Sequence, residues 1–130
     1  MAYTAIDDPS EFFQTALWTG TSDDSTKTVT NDGNSDLQPD WLWIKARSGT
    51  YGTRDHAMYD STRGATKRLE SSATDAEATS DSNNTFNSDG FTLTANYSIN
   101  GPNTNHVGWQ WKINGGTTAT NNAGSNSATL

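Results

Sequence analysis

The sequence predicts an all-β protein: an antiparallel β-sandwich, jelly-roll-like, with an extended N-terminal arm and a low-complexity C-terminal tail. Three observations lead there. Thr (21), Ser (14) and Asn (13) dominate the 130 residues, and Thr favours strands while Ser, Asn and Gly favour turns. Several segments alternate apolar and polar residues with a period of two. Dense turn clusters such as Asn31–Asp36 and Asn87–Gly90 separate those segments at short intervals. The boundaries that follow are an arm over 1–11, a sandwich over 12–113 and a tail or linker over 114–130. A chain of this length suits one domain with a real core.

Residues 1–11 read as a lead-in with a turn at Asp8-Pro9-Ser10. In Phe12–Thr19, the first strand, Phe12, Ala16 and Trp18 share one face with Gln14, and Phe13 and Leu17 the other. Lys27–Thr30 is a short strand. Leu37–Arg47 opens on Pro39, which restrains its own φ and that of Gln38. Trp41 and Trp43 then point one way, and Leu42, Ile44 and Ala46 the other. Apolar on both faces, residues 41–47 read as a central strand covered on both sides. His56–Asp60 is a short strand, Ser61–Ser72 a helical turn or a strand, and Thr74–Asn84 a long surface loop. Phe91–Ile99 alternates strictly, as does Val107–Ile113, with Val107, Trp109, Trp111 and Ile113 on one face and Gly108, Gln110 and Lys112 on the other. Residues 114–130 cannot offset their own ordering entropy, so a neighbouring subunit is the expected support.

Composition also bounds function. Net charge is −7 with a pI near 4.4, a poor match to a phosphate backbone, so no nucleic-acid partner is expected. With no Cys, disulfides, thiolate metal sites and cysteine nucleophiles are excluded. No apolar run approaches the length of a membrane helix, and no leader pattern opens the chain, so no membrane association is expected. The sequons at Asn83 and Asn96 are chance matches in an Asn/Thr/Ser-rich chain.

Five Trp and four Tyr invite a sugar-stacking reading. Trp41, Trp43, Trp109 and Trp111 nevertheless share strand faces with aliphatic residues, so they are expected in the core. Tyr51, in a Gly-flanked loop, is the better candidate for a surface contact. Basic residues gather between 45 and 68, and Arg63 and Lys67 join Tyr51 as contact candidates, able to meet an acidic patch on a second copy. Asp32, Asn34 and Asp36 alternate like the start of a calcium loop, but Leu37 and Trp43 stand where that loop needs Gly and Glu. A looser calcium site using Asp23, Asp24, Asp32 or Asp36 stays open beside the plain solvated turn; no other cofactor is expected. His56 and His106 have no acidic residue at a ligand spacing. Neither a nucleophile elbow nor a phosphate loop is present, and no enzyme activity is expected.

Five blocks in order carry a family resemblance: Leu37–Gly49 (LQPDWLWIKARSG), Met58–Leu69 (MYDSTRGATKRL), Asp75–Thr79 (DAEAT), Phe86–Leu93 (FNSDGFTL) and Val107–Lys112 (VGWQWK). The opening, Ile6–Ser10 with Phe12-Phe13-Gln14, belongs with them. Together they resemble a domain family of structural proteins in marine tailed phages. The resemblance implies a non-enzymatic, β-rich virion module in tail fibres or other particle-surface appendages, assembled in the host cytoplasm. Its expected partners are copies of itself and other virion structural proteins. A stand-alone capsid decoration or the N-terminal piece of a longer fibre would both fit. The alternative is a carbohydrate-binding module that attaches to host-surface glycans. The family carries no catalytic residues onto this chain.

Overall fold

The computed structural model describes residues 7–21, 25–79, 84–94 and 96–113, and the backbone of 120–121 and 128–129. A 3-10 turn, Pro9–Glu11, precedes β1 (Phe13–Thr19), β2 (Lys27–Val29), β3 (Trp41–Gly49), β4 (Ala57–Asp60), β5 (Gly64–Leu69) and β6 (Ala78–Thr79). Then come β7 (Thr85–Phe86), β8 (Phe91–Leu93), a single helical turn α1 (Tyr97–Asn100), β9 (Thr104–Trp111), β10 (Thr120–Asn121) and β11 (Ala128–Thr129). A six-stranded sheet runs β1-β9-β3-β4-β5-β6 and a three-stranded sheet β2-β8-β7, with β10 and β11 forming a ribbon. The strand pairings are antiparallel. The protein is an all-β sandwich.

The core lies between the two sheets. Ala16, Trp18, Leu42, Ile44, Ala57 and Tyr59 enter from the larger sheet, Val29, Phe91 and Leu93 from the smaller, and Ile99 from α1. Trp18 anchors it. The indole meets Phe91 edge-on at 5.4 Å, and its Nε1 donates to the Ile99 carbonyl at 3.1 Å. Gly108 makes this possible, because a Cβ there would come within 3.0 Å of the Trp18 ring. Tyr59 is buried against Asn84, and burial pushes its hydroxyl pKa up to about 12.

Polar side chains staple the connections. Gln14 donates through Nε2 to the carbonyls of Ser10 and Ser35 and accepts from the Gly33 N–H. Asp8 caps the 3-10 turn by accepting from the Ser10 N–H, and also accepts from Ser35 Oγ. Hydrogen bonds from Ser10 and Ser35 hold its carboxyl below the usual carboxylate range. The described part of the N-terminal arm, 7–11, is thus tied to the 33–35 loop of its own domain. Buried Asp40 accepts from Ser61 Oγ and the Ile113 N–H, locking the start of β3 to the β4–β5 turn and the end of β9. Asn100, fully buried, accepts from the Thr21 N–H and donates to the Ser25 carbonyl.

Two expectations change, and one open alternative is decided. The alternating segment 91–99 is not one strand: β8 stops at Leu93, and Asn96 caps α1 by accepting from the Ser98 N–H at 2.9 Å. Ile99 still reaches the core, so the apolar period survived while the backbone turned. The surface loop 74–84 contains β6, which pairs with β5. Of the two alternatives for residues 61–72, a helical turn or a strand, the strand is the one formed, as β5. Residues 1–6 of the arm, and the tail apart from the backbone of β10 and β11, lie outside the described residues, as does the expectation of a neighbour-held tail.

Candidate functional site

The strand parity of the larger sheet creates an outer face unlike the interior. Register places Phe13, Thr15 and Leu17 of β1 beside Trp111, Trp109 and Val107 of β9. β3 sets Trp41 against Trp111 and Trp43 against Trp109, and β4 brings Met58 up to Trp43. The result is a band of rings across β1, β9 and β3, extended by His56 and by Met58 of β4. Phe13 meets Trp111 at 5.1 Å, Trp111 meets Trp41 at 6.4 Å, Trp43 meets Trp109 at 5.7 Å and His56 at 5.5 Å. Trp43 Nε1 donates to His56 Nδ1 at 2.8 Å, which fixes both rings.

These four tryptophans therefore do pack with one another, but they are not core. Trp41 is 40% exposed, and Trp43, Trp109 and Trp111 are half-buried. Leu17 (61%) and Ile113 (64%) add exposed apolar surface. Likewise β3 is covered on one face only, through Leu42, Ile44 and Ala46. The opposite face of β9, polar in sequence, points inward: His106 and Gln110 are fully buried and Gly108 is buried. Gln110 Nε2 donates to Asn31 Oδ1 at 2.6 Å, and His106 stacks on Trp18 at 5.4 Å. The missed signal was parity: Lys45 and Arg47 share the odd face of β3 with Trp41 and Trp43, marking that face as outward.

A second surface feature surrounds Tyr51. Its ring lies 4.4 Å from that of Tyr97, and the Arg54 guanidinium sits over both, at 5.6 and 5.9 Å. Lys45 holds this loop by donating to the carbonyls of Gly52 and Arg54. Next to it is a polar groove of about 360 Å³, lined by Arg54, Asp55, Arg68, Glu70, Asn96, Tyr97 and Ser98.

Arg63 and Lys67 lie elsewhere. Arg63 pairs with Asp60 at 2.6 Å and Glu77 at 3.0 Å, and Lys67 Nζ donates to Thr79 Oγ1 at 2.6 Å. Tyr51 precedes β4, whereas Arg63 follows it, so the two mark opposite ends of that strand. The structure does not bring the contact candidates into one site. Asp32, Asn34 and Asp36 are exposed around Gly33, while Asp23 and Asp24 lie outside the described residues. Among the described residues no three His, Cys, Asp or Glu gather as a metal site would require.

Comparison with curated proteins and with solved structures finds no match. A family model described as a domain of unknown function, DUF7483, matches residues 8–130. That span takes in both sheets, the aromatic face and the Tyr51 cluster, and the chain belongs to this family.

Proposed function

We propose that this chain is a non-enzymatic structural module of a phage virion, in a tail fibre, surface appendage or capsid decoration, working through symmetric contacts with copies of itself and with other virion proteins. The virion setting rests on the resemblance of the five sequence blocks. The contact reading rests on one observation, the aromatic outer face of the larger sheet. Contiguous exposed apolar surface of this kind marks interaction sites, and Trp, Phe and Met are enriched in the centres of protein interfaces. Ring geometry favours a protein over a polysaccharide. The Trp43–Trp109 and Trp41–Trp111 pairs meet at 61° and 69°, so they offer edges and ridges rather than the coplanar platform that a flat sugar chain stacks on.

Sedimentation of the full chain up to about 100 μM, with acrylamide quenching of Trp fluorescence, tests this. Assembly should shield the outer tryptophans. A chain that stays monomeric with quencher-accessible tryptophans overturns the reading. The second reading, attachment to host-surface glycans, is favoured by the groove beside Tyr97, a residue 39% exposed that adjoins Asn96, Asp55 and Glu70. Glycan-array binding that Tyr97→Ala abolishes would select it.

A further inference from the structure

The strand edges of the sandwich are unequal. β6, at one end of the larger sheet, has two residues; β2 and β7, the edges of the smaller sheet, have three and two. Short edges are a standard protection against edge-to-edge pairing. β1, the other edge of the larger sheet, has seven residues, FQTALWT, with no charge, Pro or Gly and a continuous register to β9. Its own sequence and register carry none of the devices that blunt an edge, and among the described residues no strand covers it.

The direction of its backbone follows from its ends. The Phe12 carbonyl accepts from the Lys112 N–H, and the Gly20 N–H donates to the Thr104 carbonyl. Even-numbered residues therefore turn their N–H and C=O groups toward β9, and Phe13, Thr15, Leu17 and Thr19 turn theirs toward the free edge. Among the described residues, no strand pairs there. An open cleft of about 230 Å³ adjoins the middle of the strand, between Thr15–Leu17 and the Val29–Thr30 end of the smaller sheet, with Asp32 at its rim.

We propose that β1 is a homotypic docking edge: two copies pair antiparallel along β1 about a two-fold axis, joining their larger sheets into one. This rests on the assembly reading above and adds a second contact to it, since pairing at the edge leaves the outer tryptophans free for a contact through the face. Backbone donors and acceptors alternating along an uncharged edge are satisfied by an extended strand, and an antiparallel two-fold makes this strand its own complement. With the axis at Ala16, the ladder spans the whole strand, about 23 Å. Phe13 then faces Thr19 of the second copy, and Thr15 faces Leu17. The two apolar side chains already exposed on the outer surface gain cover, Phe13 from Thr19 and Leu17 from Thr15 of the second copy.

Amide-resolved hydrogen exchange on the full chain, dilute and concentrated, tests this. The Gln14, Ala16 and Trp18 amides should be protected at both concentrations, because β9 holds them. Those of Thr15 and Leu17 should exchange fast when dilute and at least about tenfold more slowly when concentrated. Two variants remove the edge without touching the β9 ladder. Thr15→Pro deletes an outward N–H, and Leu17→Lys places a charge on the exposed face. Each should abolish the slowing while Ala16 stays protected, and if the proline variant unfolds, the lysine variant carries the test alone. Assembly with Thr15 and Leu17 still exchanging fast refutes the docking edge but leaves the assembly reading standing. Slow exchange of Thr15 and Leu17 in the dilute monomer also refutes it, and absence of assembly refutes both.

Discussion

Lowering the pH from 7 to 4.5 should destabilise this protein through His106, and the size of the effect follows from its surroundings. The imidazole is fully buried, stacked on Trp18 with its plane 10° from that of the indole. Among the described residues, neither ring nitrogen reaches a hydrogen-bond partner. Burial pushes its pKa down from 6.5 to about 4; the nearby Thr104 backbone opposes the shift in part, and the charge of Lys45 adds to it. The folded form thus keeps His106 neutral where the unfolded chain protonates it. Between pH 6.5 and 4 the unfolded state binds more protons, so stability falls as pH falls, and levels off below the folded pKa. At about 1.4 kcal/mol per unit the full effect is about 3.5 kcal/mol, of which roughly 2.5 kcal/mol is lost by pH 4.5. The assay is urea unfolding of the wild type and of His106→Phe at both pH values. Phenylalanine keeps the stack on Trp18 and removes both unpartnered nitrogens, so it should be neutral or stabilising at pH 7. The variant should lose roughly 2.5 kcal/mol less on acidification, the other titrating groups being common to both. Parallel pH dependences would refute the reasoning.

Two glycines make a paired test. Gly90 (φ +92°) would place a Cβ 2.1 Å from the Val29 carbonyl oxygen, whereas Gly64 (φ +102°) opens on space. Gly90→Ala should cost more than about 3 kcal/mol and Gly64→Ala about 1–2 kcal/mol in chemical denaturation, and equal costs would show that steric contact does not decide. Gln14→Leu removes the bonds to the Ser10 and Ser35 carbonyls and the acceptor for the Gly33 N–H. It should cost about 2 kcal/mol and speed exchange of the Gly33 amide, and an unchanged Gly33 rate would mean that the 31–36 loop is held by other groups.

Strand positions and face assignments were largely legible in the sequence, because alternation is a local property. In β1 the sequence separates Gln14, Ala16 and Trp18 from Phe13 and Leu17, and burial separates them in the same way. Which face points inward was harder to read. In β9 the odd residues are Val107, Trp109 and Trp111, so hydropathy alone turns them inward, yet the sheet turns His106, Gly108 and Gln110 toward the core. The decision depends on partners distant in sequence: the Trp18 ring that needs the space at Gly108, and the Asn31 side chain that binds Gln110. The turn at α1 was hidden for a related reason. Asn96 reads as the polar half of an alternating strand, and only its bond to the Ser98 N–H, supported by the buried side chain of Asn100, shows that the backbone has left the extended region.

The inversion of β9 links the core to the candidate site. A central strand has two faces, and each must be filled from one sequence. Had Trp109 and Trp111 turned inward, Trp41 and Trp43 beside them in register would have followed, because register fixes all four together. The core would then have had to hold four indoles where it now holds Trp18, Leu42, Ile44 and Phe91. Gly108 favours the observed arrangement: a Cβ there would stand 3.0 Å from the Trp18 ring, so the glycine leaves room for the indole on the even, inward face of β9. The outer aromatic band is therefore a consequence of how the core packs. A single substitution at Gly108 that displaced Trp18 would alter both surfaces at once, whereas Trp41→Ala, on the outer face alone, should weaken association at a cost of about 1–2 kcal/mol in unfolding, from the lost contact with Trp111.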